Sequence, residues 1–389
     1  MSVLFRFFFL SSLFLLVEAA FAQSGSVDTS FDPMESVYSS WGGSIHRIAI
    51  QKDGKILIAG QFSKYNNTKA RHLARLNSDG SLDTSLKLGR FNWGGGIYNF
   101  AIQDDGKIIV AGGFTKYNGI EARGMVRLHS NGELDTTFFV GKGANDAVGV
   151  ILIQKDGKIL IEGDFRKVNG YRTCGLVRLL PNGSIDSSFI GRTQCNLEHS
   201  GIFDMVLQED GKLIIVGHFH EYNNVGRKNI ARLRSDGSLD HSFLVDPNTN
   251  GRIESVAIQK DGKIVVAGIF TKLGGEKARY LARLDTNGRI DSSFQIGFGP
   301  KSSLFEVAIQ DDGKIIIAGF FKKYNNIPVQ RIARLHTDGS LDTSFNNNNA
   351  EIDHWITRVV LQKDGKIIAI GPFTFFHSYY RKRIVRLHK

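Results

Sequence analysis

The chain has 389 residues and a formal net charge of +11. Length alone allows two or three domains, and the basic balance bears on association rather than on fold. Two cysteines are too few for zinc sites of paired thiolates, and neither a glycine-rich phosphate loop nor a nucleophile elbow occurs, so those chemistries are excluded.

Taken in order, residues 1–22 stand apart. Arg6 precedes Phe7–Val17, an uncharged apolar run of 11 residues, and Ala20-Phe-Ala22 follows. This is the pattern of a secretory signal peptide, with cleavage expected after Ala22. The run is too short to span a bilayer, where ~20 residues are needed. No other membrane-spanning candidate follows, so residues 23–389 are expected to form an exported, soluble domain.

A repeat begins next. Gly54, Gly106, Gly157, Gly211, Gly262, Gly313 and Gly365 all stand in Asp-Gly-Lys, spaced 51 to 54 residues apart. Each unit carries four short apolar runs bounded by Gly, Asn and Asp. In the fifth unit they are Ile253–Gln259, Lys263–Phe270, Tyr280–Asp285 and Ile290–Phe294. Runs this short read as strands, and a fixed period reads as one supersecondary unit stacked on its copies. The expected fold is all-β, a seven-bladed propeller of four-stranded antiparallel blades. A three-residue turn with a left-handed glycine sets Ile50 opposite Ile56, Leu76 opposite Leu82, and Arg75 opposite Asp83.

The chain ends favour a closed ring over an open solenoid. Ser26–Phe31 matches the end of a repeat such as Leu341–Phe345, whereas the seventh repeat stops at Lys389 before its fourth strand. The N-terminal strand is therefore expected to complete the last blade, with Arg386 opposite Asp28. The motifs Gln-x-Asp-Gly-Lys, Ala59-Gly-Gln-Phe62, Ala74–Leu76 and Asp338–Phe345 resemble the delta-60 repeats of exported bacterial β-propeller proteins. The resemblance spans residues 24–389. It implies export and a propeller but no particular chemistry. Departures are Leu86 in place of Phe, and Glu162-Gly163 and Ile370-Gly371 in place of Ala-Gly.

Function is expected on the face away from the uniform Asp-Gly turns, where the irregular segments Lys87–Gly96, Ile190–Gly201, Val245–Gly251 and Asn346–Trp355 fall. Four residues before the third-strand arginines stand Arg71, Arg123, Cys174, Lys228, Arg279, Gln330 and Lys382, a mostly cationic ring. Lys64, Lys116, Lys167, Lys272 and Lys323 add to it. Trp93 and Trp355 lie in linkers where no repeat rule demands them. Tyr65, Tyr117, Tyr222 and Tyr324 recur before Asn turns and read as packing residues. These features point to a non-enzymatic binding module for an anionic partner, such as an acidic polysaccharide or a cell-envelope component. The competing expectation is a glycan-degrading hydrolase or lyase at the channel mouth.

The channel strand varies at one slot, occupied by Arg47, Asn99, Val150, Asp204, Ser255, Glu306 and Arg358. A mixed ring there suits a solvated lining, or a small ligand or ion. For the enzyme reading, Asp204 and Glu306 are the acid–base candidates. His218 and His220 share one strand face without a third metal ligand in view, and the Asp-Gly turns lack the carboxylate pattern of a calcium loop. Cys174 and Cys195 both lie in the third unit, where export favours a disulfide. No cofactor and no nucleic acid are expected, and the domain is expected to be monomeric.

Overall fold

The computed structural model describes residues 23–39, 42–92, 96–138, 141–173, 175–190, 201–345 and 351–389. The signal-peptide segment, Trp93, Cys174, Cys195 and the Asn346–Asn349 run lie outside them. Seven three-stranded antiparallel blade sheets follow one another, each accompanied by a small ribbon, and all described regular structure is β. In the first blade an inner strand, Ser44–Ile50, pairs with a middle strand, Ile56–Gln61, which pairs with a third, Leu73–Leu76.

The turn register is the one that the sequence pattern predicts. Ile50 faces Ile56, and Gly54 takes φ +85° at the turn. Leu76 bridges Leu82, and the Arg75 guanidinium lies 2.6 Å from Asp83. The fourth strand is much shorter than expected. It is a single bridge in each blade, and it ends in an Asp-centred turn in which Ser85 donates to Asp83. The chain then crosses to the next blade, where the Lys87 amide donates to the Asn131 carbonyl.

The second-to-third connection forms a ribbon, Lys64–Tyr65 against Thr68–Lys69, and the incoming linker adds Val37–Tyr38 to its edge. The chain returns to the third strand through a left-handed residue at one fixed slot, His72, Asn229, Tyr280, Arg331 or Arg383, with glycine at 124 and 175. That conformation is uncommon for bulky side chains and bends the hairpin. The ribbon therefore folds back along the outer rim. Its Tyr65 hydroxyl reaches the Gly80 carbonyl at 2.6 Å, beside the turn where the Asp32 amide meets Asp79. Tyr117, Tyr222 and Tyr324 make the same contact with Gly132, Gly237 and Gly339 and are buried, so these tyrosines are packing residues. The ribbons thus cover the rim rather than the second face where the sequence pattern placed them.

Middle strands carry unbroken apolar runs because both of their faces are covered by neighbouring blades. Ile56, Leu57, Ile58 and Ala59 are all fully buried. Leu57 and Ala59 pack with Phe100, Ile108 and Val110 of the second blade. Ile56 and Ile58 pack with Ile368, Ile370 and Ile384 of the seventh. Each such side chain contributes about 1.5–3 kcal/mol.

Arginines tie the blades together on the turn face. Arg127, Arg178, Arg232, Arg283 and Arg334 each hold an aspartate of their own blade at 2.8 Å. The Nη1 groups of Arg127, Arg178, Arg232 and Arg283 reach forward to a carbonyl of the next blade, as Arg75 donates to the Ser130 carbonyl at 2.6 Å and Arg127 to Pro181 at 2.7 Å. In the seventh blade the N-terminal segment supplies the equivalent partners. Val27 bridges Leu387, Arg386 lies 2.8 Å from Asp28, and Arg386 also donates to the Ser78 carbonyl of the first blade.

Candidate functional site

Two surfaces stand out, the rim between the seventh and second blades and the mouth of the channel. At the rim, Lys64 pairs with Tyr38 on one side and Lys69 on the other. Directly paired residues of a ladder project to the same face, so the three side chains form a row. Lys382 extends it, with its ammonium 6.0 Å from the centre of the Tyr38 ring.

Beyond Lys382 lies the ribbon of the seventh blade. Phe375, Tyr379 and Tyr380 occupy the slots held in the first blade by Lys64, Thr68 and Lys69. All three are exposed, as is Tyr38, and Phe375 and Tyr380 meet edge to face at 5.7 Å. Arg381 stands over the Tyr379 ring at 5.5 Å.

At the other end the row enters a groove of about 590 Å³ between the first and second blades, lined by Lys69, Arg71, Leu86 and Arg90. The groove traces to one departure from the repeat. In the second blade Arg127 stacks on Phe138 at 4.6 Å, and the later blades repeat this with Phe189, Phe243, Phe294 and Phe345. The first blade has Leu86 in that slot, which is smaller. Lys69, Arg71 and Arg90 have no carboxylate partner among the described residues.

The other ring positions are more scattered. Arg123 pairs with Glu121 at 3.4 Å, Arg279 is exposed on the fifth blade and Lys228 is half-buried on the fourth. Trp355 is half-buried and packs edge to face on Phe320 at 5.7 Å. The structure therefore brings Arg71 and Lys382 into one track and leaves the rest as separate cations. The track's aromatics, Tyr38, Phe375, Tyr379 and Tyr380, were not singled out from sequence. Their signal was the change from Lys, Thr and Lys at fixed repeat slots.

At the channel mouth, the polar ring is a belt of bonds between blades rather than a free lining. Asn99 donates to the Gly149 carbonyl at 3.1 Å. Asp204 accepts from the Val256 amide at 3.0 Å, from Ser255 Oγ at 3.2 Å and from the Met205 amide at 2.9 Å. Ser255 Oγ accepts from the Val307 amide at 3.3 Å, and Arg358 donates to Glu306 at 2.7 Å. Burial and the Arg358 charge lower the Arg47 pKa, while Asp204 and Glu306 oppose this. Burial raises Glu306 above the usual carboxylate range, against the pull of Arg358. Asp204 and Glu306 are thus held by neighbouring blades, and the acid–base pair of the enzyme reading is occupied by structural bonds.

A bulge in the inner strand was not foreseen. Pairing slips between Ile45 and Arg47, and likewise in the next five blades. The extra residue makes a second ring of His46, Tyr98, Gly149, Phe203, Glu254 and Phe305, with Thr357 in the seventh blade. Bulges re-aim side chains, and periodicity alone does not reveal them. His46 and Tyr98 lie ring to ring at 6.5 Å. Burial lowers the His46 pKa, which keeps it neutral.

His218 and His220 lie 5.8 Å apart, and no group of three potential metal ligands occurs among the described residues. Among the same residues, no helix is long and apolar enough to cross a membrane.

Comparison with known proteins follows the fold. Residues 51–86, 103–138, 154–189, 208–243, 259–294, 310–345 and 362–389 match the family model described as "Domain of unknown function (DUF5122) beta-propeller". No curated protein matches the chain in sequence. Among solved structures it is similar to the extracellular domain of a hybrid two component system, BT4673, from B. thetaiotaomicron. Identity is 13%, the TM-score is 0.53, and the match covers 94% of this chain but only 39% of that one. It is also similar to an inactive virginiamycin B lyase from Staphylococcus aureus with quinupristin, at 15% identity and TM-score 0.54, covering 92% of this chain and 98% of that one. At such identities the likeness is one of fold.

Proposed function

The chain belongs to the DUF5122 beta-propeller family, and we propose that it is an exported, non-enzymatic binding module whose rim engages an acidic glycan of the cell envelope or surroundings. The observation that carries this is the continuous track from Phe375 and Tyr380 through Lys382, Tyr38, Lys64 and Lys69 to Arg71 and Arg90. Exposed aromatic rings give stacking area to sugar faces, and guanidinium groups take carboxylate or sulfate oxygens in pairs. Single exposed charge pairs contribute only about 0–1 kcal/mol, so an extended ligand that meets many at once is required. A chain polyanion meets that requirement and a monosaccharide does not. The signal-like residues 1–22 and the extracellular setting of the BT4673 domain support export.

The test is affinity electrophoresis of the purified chain in gels containing polygalacturonate, alginate or a sulfated galactan, over a range of salt. Salt-sensitive retardation is expected on at least one of them. The combined Lys64→Ala, Lys69→Ala, Arg71→Ala variant should lose it. The control is Lys52→Ala, Lys155→Ala, Lys363→Ala, which removes equal charge from the turn face. Lys55, Lys107 and Lys263 are unsuitable controls, because they pair with the largely buried Asp83, Asp135 and Asp291 at 2.8, 3.2 and 3.0 Å, whereas the partner of Lys52, Asp104 at 3.2 Å, is fully exposed. Equal loss in both triple variants would reduce the effect to net charge, and absence of salt-sensitive retardation on every polyanion would remove the proposal.

A further inference from the structure

We propose that the recess between the third and fourth blades at the channel mouth binds a small organic cation, a primary ammonium on an apolar or aromatic body, with Glu162 as its counter-ion. This site is separate from the rim and does not depend on the rim's ligand.

Two departures from the repeat meet here. The middle-strand slot of Glu162 holds Ala59, Ala111, Val216, Ala267, Ala318 or Ile370 in the other blades. The bulge slot of Gly149 holds a larger side chain in every other blade, namely His46, Tyr98, Phe203, Glu254, Phe305 or Thr357. Gly149 does not adopt a positive φ, so its backbone does not demand glycine. What the missing side chain leaves is space. A Cβ at position 149 would lie 4.0 Å from Glu162 Oε2, and one at position 201 would lie 2.9 Å from Oε1. A carboxyl has been added behind the inner strand, and the side chain that would cover it has been removed.

Glu162 is 6% exposed and accepts one bond, from the Ile202 amide to Oε1 at 3.0 Å. That bond joins the third blade to the fourth, where Val150 has no polar group to do so. A glutamine would make the same bond without a titratable group, so the tie alone does not account for the acid. Burial pushes the Glu162 carboxyl up to about 8, the Ile202 amide lowers it, and the Asp164 charge raises it further. The site therefore holds a neutral acid at neutral pH.

The recess has a volume of about 540 Å³ and is lined by Tyr98, Glu162, Asp164, Phe203, Arg252 and Arg358, among others. That is within the usual size of small-molecule sites, about 300–1,000 Å³. Its cations are already matched, with Arg252 on Glu254 at 2.6 Å and Arg358 on Glu306 at 2.7 Å. Glu162 and Asp164 have no cation among the described residues. The recess thus holds two carboxyl groups without a cation beside them among the described residues. Tyr98 supplies a ring face for an ammonium or for a stacked body, while the Phe203 ring carries the Arg252 guanidinium at 5.9 Å. An ammonium beside Glu162 favours the ionised carboxylate, so binding should expel its proton. The groups that tune this are Asp164 at the end of the same strand, Arg252 and Glu254 from the fifth blade, Arg358 from the seventh and Tyr98 from the second.

The experiment is isothermal titration of the purified chain near neutral pH with benzylamine, benzyl alcohol and benzoate, in two buffers of different ionisation enthalpy. Benzylamine should bind with release of close to one proton, and the neutral and anionic isosteres should bind at least about tenfold more weakly. Glu162→Gln keeps the Ile202 bond and should abolish both the proton release and the preference for the amine. Gly149→Phe restores the bulk found in other blades and should block binding, with its melting curve checking the fold. Equal binding of benzyl alcohol would make the recess a site for neutral hydroxyl ligands and overturn the proposal. So would an unchanged Glu162→Gln variant, or no binding of benzylamine at millimolar concentration.

Discussion

The turn face and the channel mouth are built from the same seven repeats and obey opposite rules. Every blade carries the same arginine–aspartate pair behind its third strand. At the mouth no two blades share the two residues of the bulge and ring slots, which run from His46-Arg47 through Gly149-Val150 to Thr357-Arg358. The pairs are buried, and most of their aspartates also hold a lysine, so each change there disturbs several charged groups at once. The inner strand is bonded into its ladder along one edge only. Side chains there can vary without disturbing a ladder.

The largest expected effect comes from breaking the staple where the chain ends meet. Deleting Gln23–Phe31 removes Val27, Asp28 and the buried Phe31, and leaves Arg386 without its carboxylate. Calorimetry should show a much lower melting temperature, and size-exclusion chromatography should show self-association through the exposed edge. A deletion variant that melts like the full chain and elutes as before would contradict the contacts seen here. Next comes Arg178→Ala, which leaves Asp186 without a cation among the described residues and cuts the tie to the Ser235 carbonyl. Breaking a buried pair costs about 3–5 kcal/mol, measurable by denaturant unfolding. Arg252→Ala, an exposed pair at the mouth, should cost much less.

Acid and base should separate the two regions as well. Burial raises Asp83, but hydrogen bonds from Lys55, Ser85 and Arg75 outweigh it and hold it well below the usual carboxylate range. Asp28, Asp135, Asp240, Asp291 and Asp342 are depressed in the same way. A depressed carboxylate stabilises the fold above its unfolded value of about 3.9 and loses that contribution as pH falls through the folded value. Melting temperature should therefore fall steeply below about pH 4. Glu162 has the opposite sign. With its folded pKa raised to about 8, its cost is absent below the unfolded value and accumulates as pH rises to the folded one. Glu162→Gln should match the wild type near pH 4 and exceed it near pH 9, by on the order of 5 kcal/mol at most. A pH-independent difference would mean that Glu162 is not buried as an acid.

The regular half of the molecule was legible from sequence because its chemistry is periodic. The Asp-Gly turns fixed Ile50 against Ile56, and the charge pattern fixed Arg75 against Asp83, since a one-residue slip would separate both pairs. What was not legible lies where the backbone leaves the period. The left-handed residue at His72 folds the ribbon onto the rim, and nothing in a histidine announces that conformation. The bulge at His46 adds a ring of side chains that alternation cannot place. Glu162 and Leu86 were visible as departures, but their consequence depends on what faces them. One opens toward Gly149 and the other vacates the stacking slot beside Arg75.

The smallest expected effect is also the one that separates charge from shape on the rim. Phe375→Ala with Tyr380→Ala removes the exposed edge-to-face pair at 5.7 Å without touching a cation. Both side chains are solvent-facing, so the melting temperature should hardly change. Retardation by the best polyanion should weaken severalfold, since each stacked ring contributes about 0.5–1.5 kcal/mol. The salt dependence should keep its slope, because no charged group has been lost and screening acts only on charges. Lys64→Ala with Lys69→Ala should do the reverse, flattening the salt dependence as well as weakening binding. If the aromatic variant flattens the slope, the two rings act by ordering the neighbouring cations and not by stacking. If it leaves affinity intact at every salt concentration, the track is electrostatic alone and the glycan reading loses its sugar-stacking half.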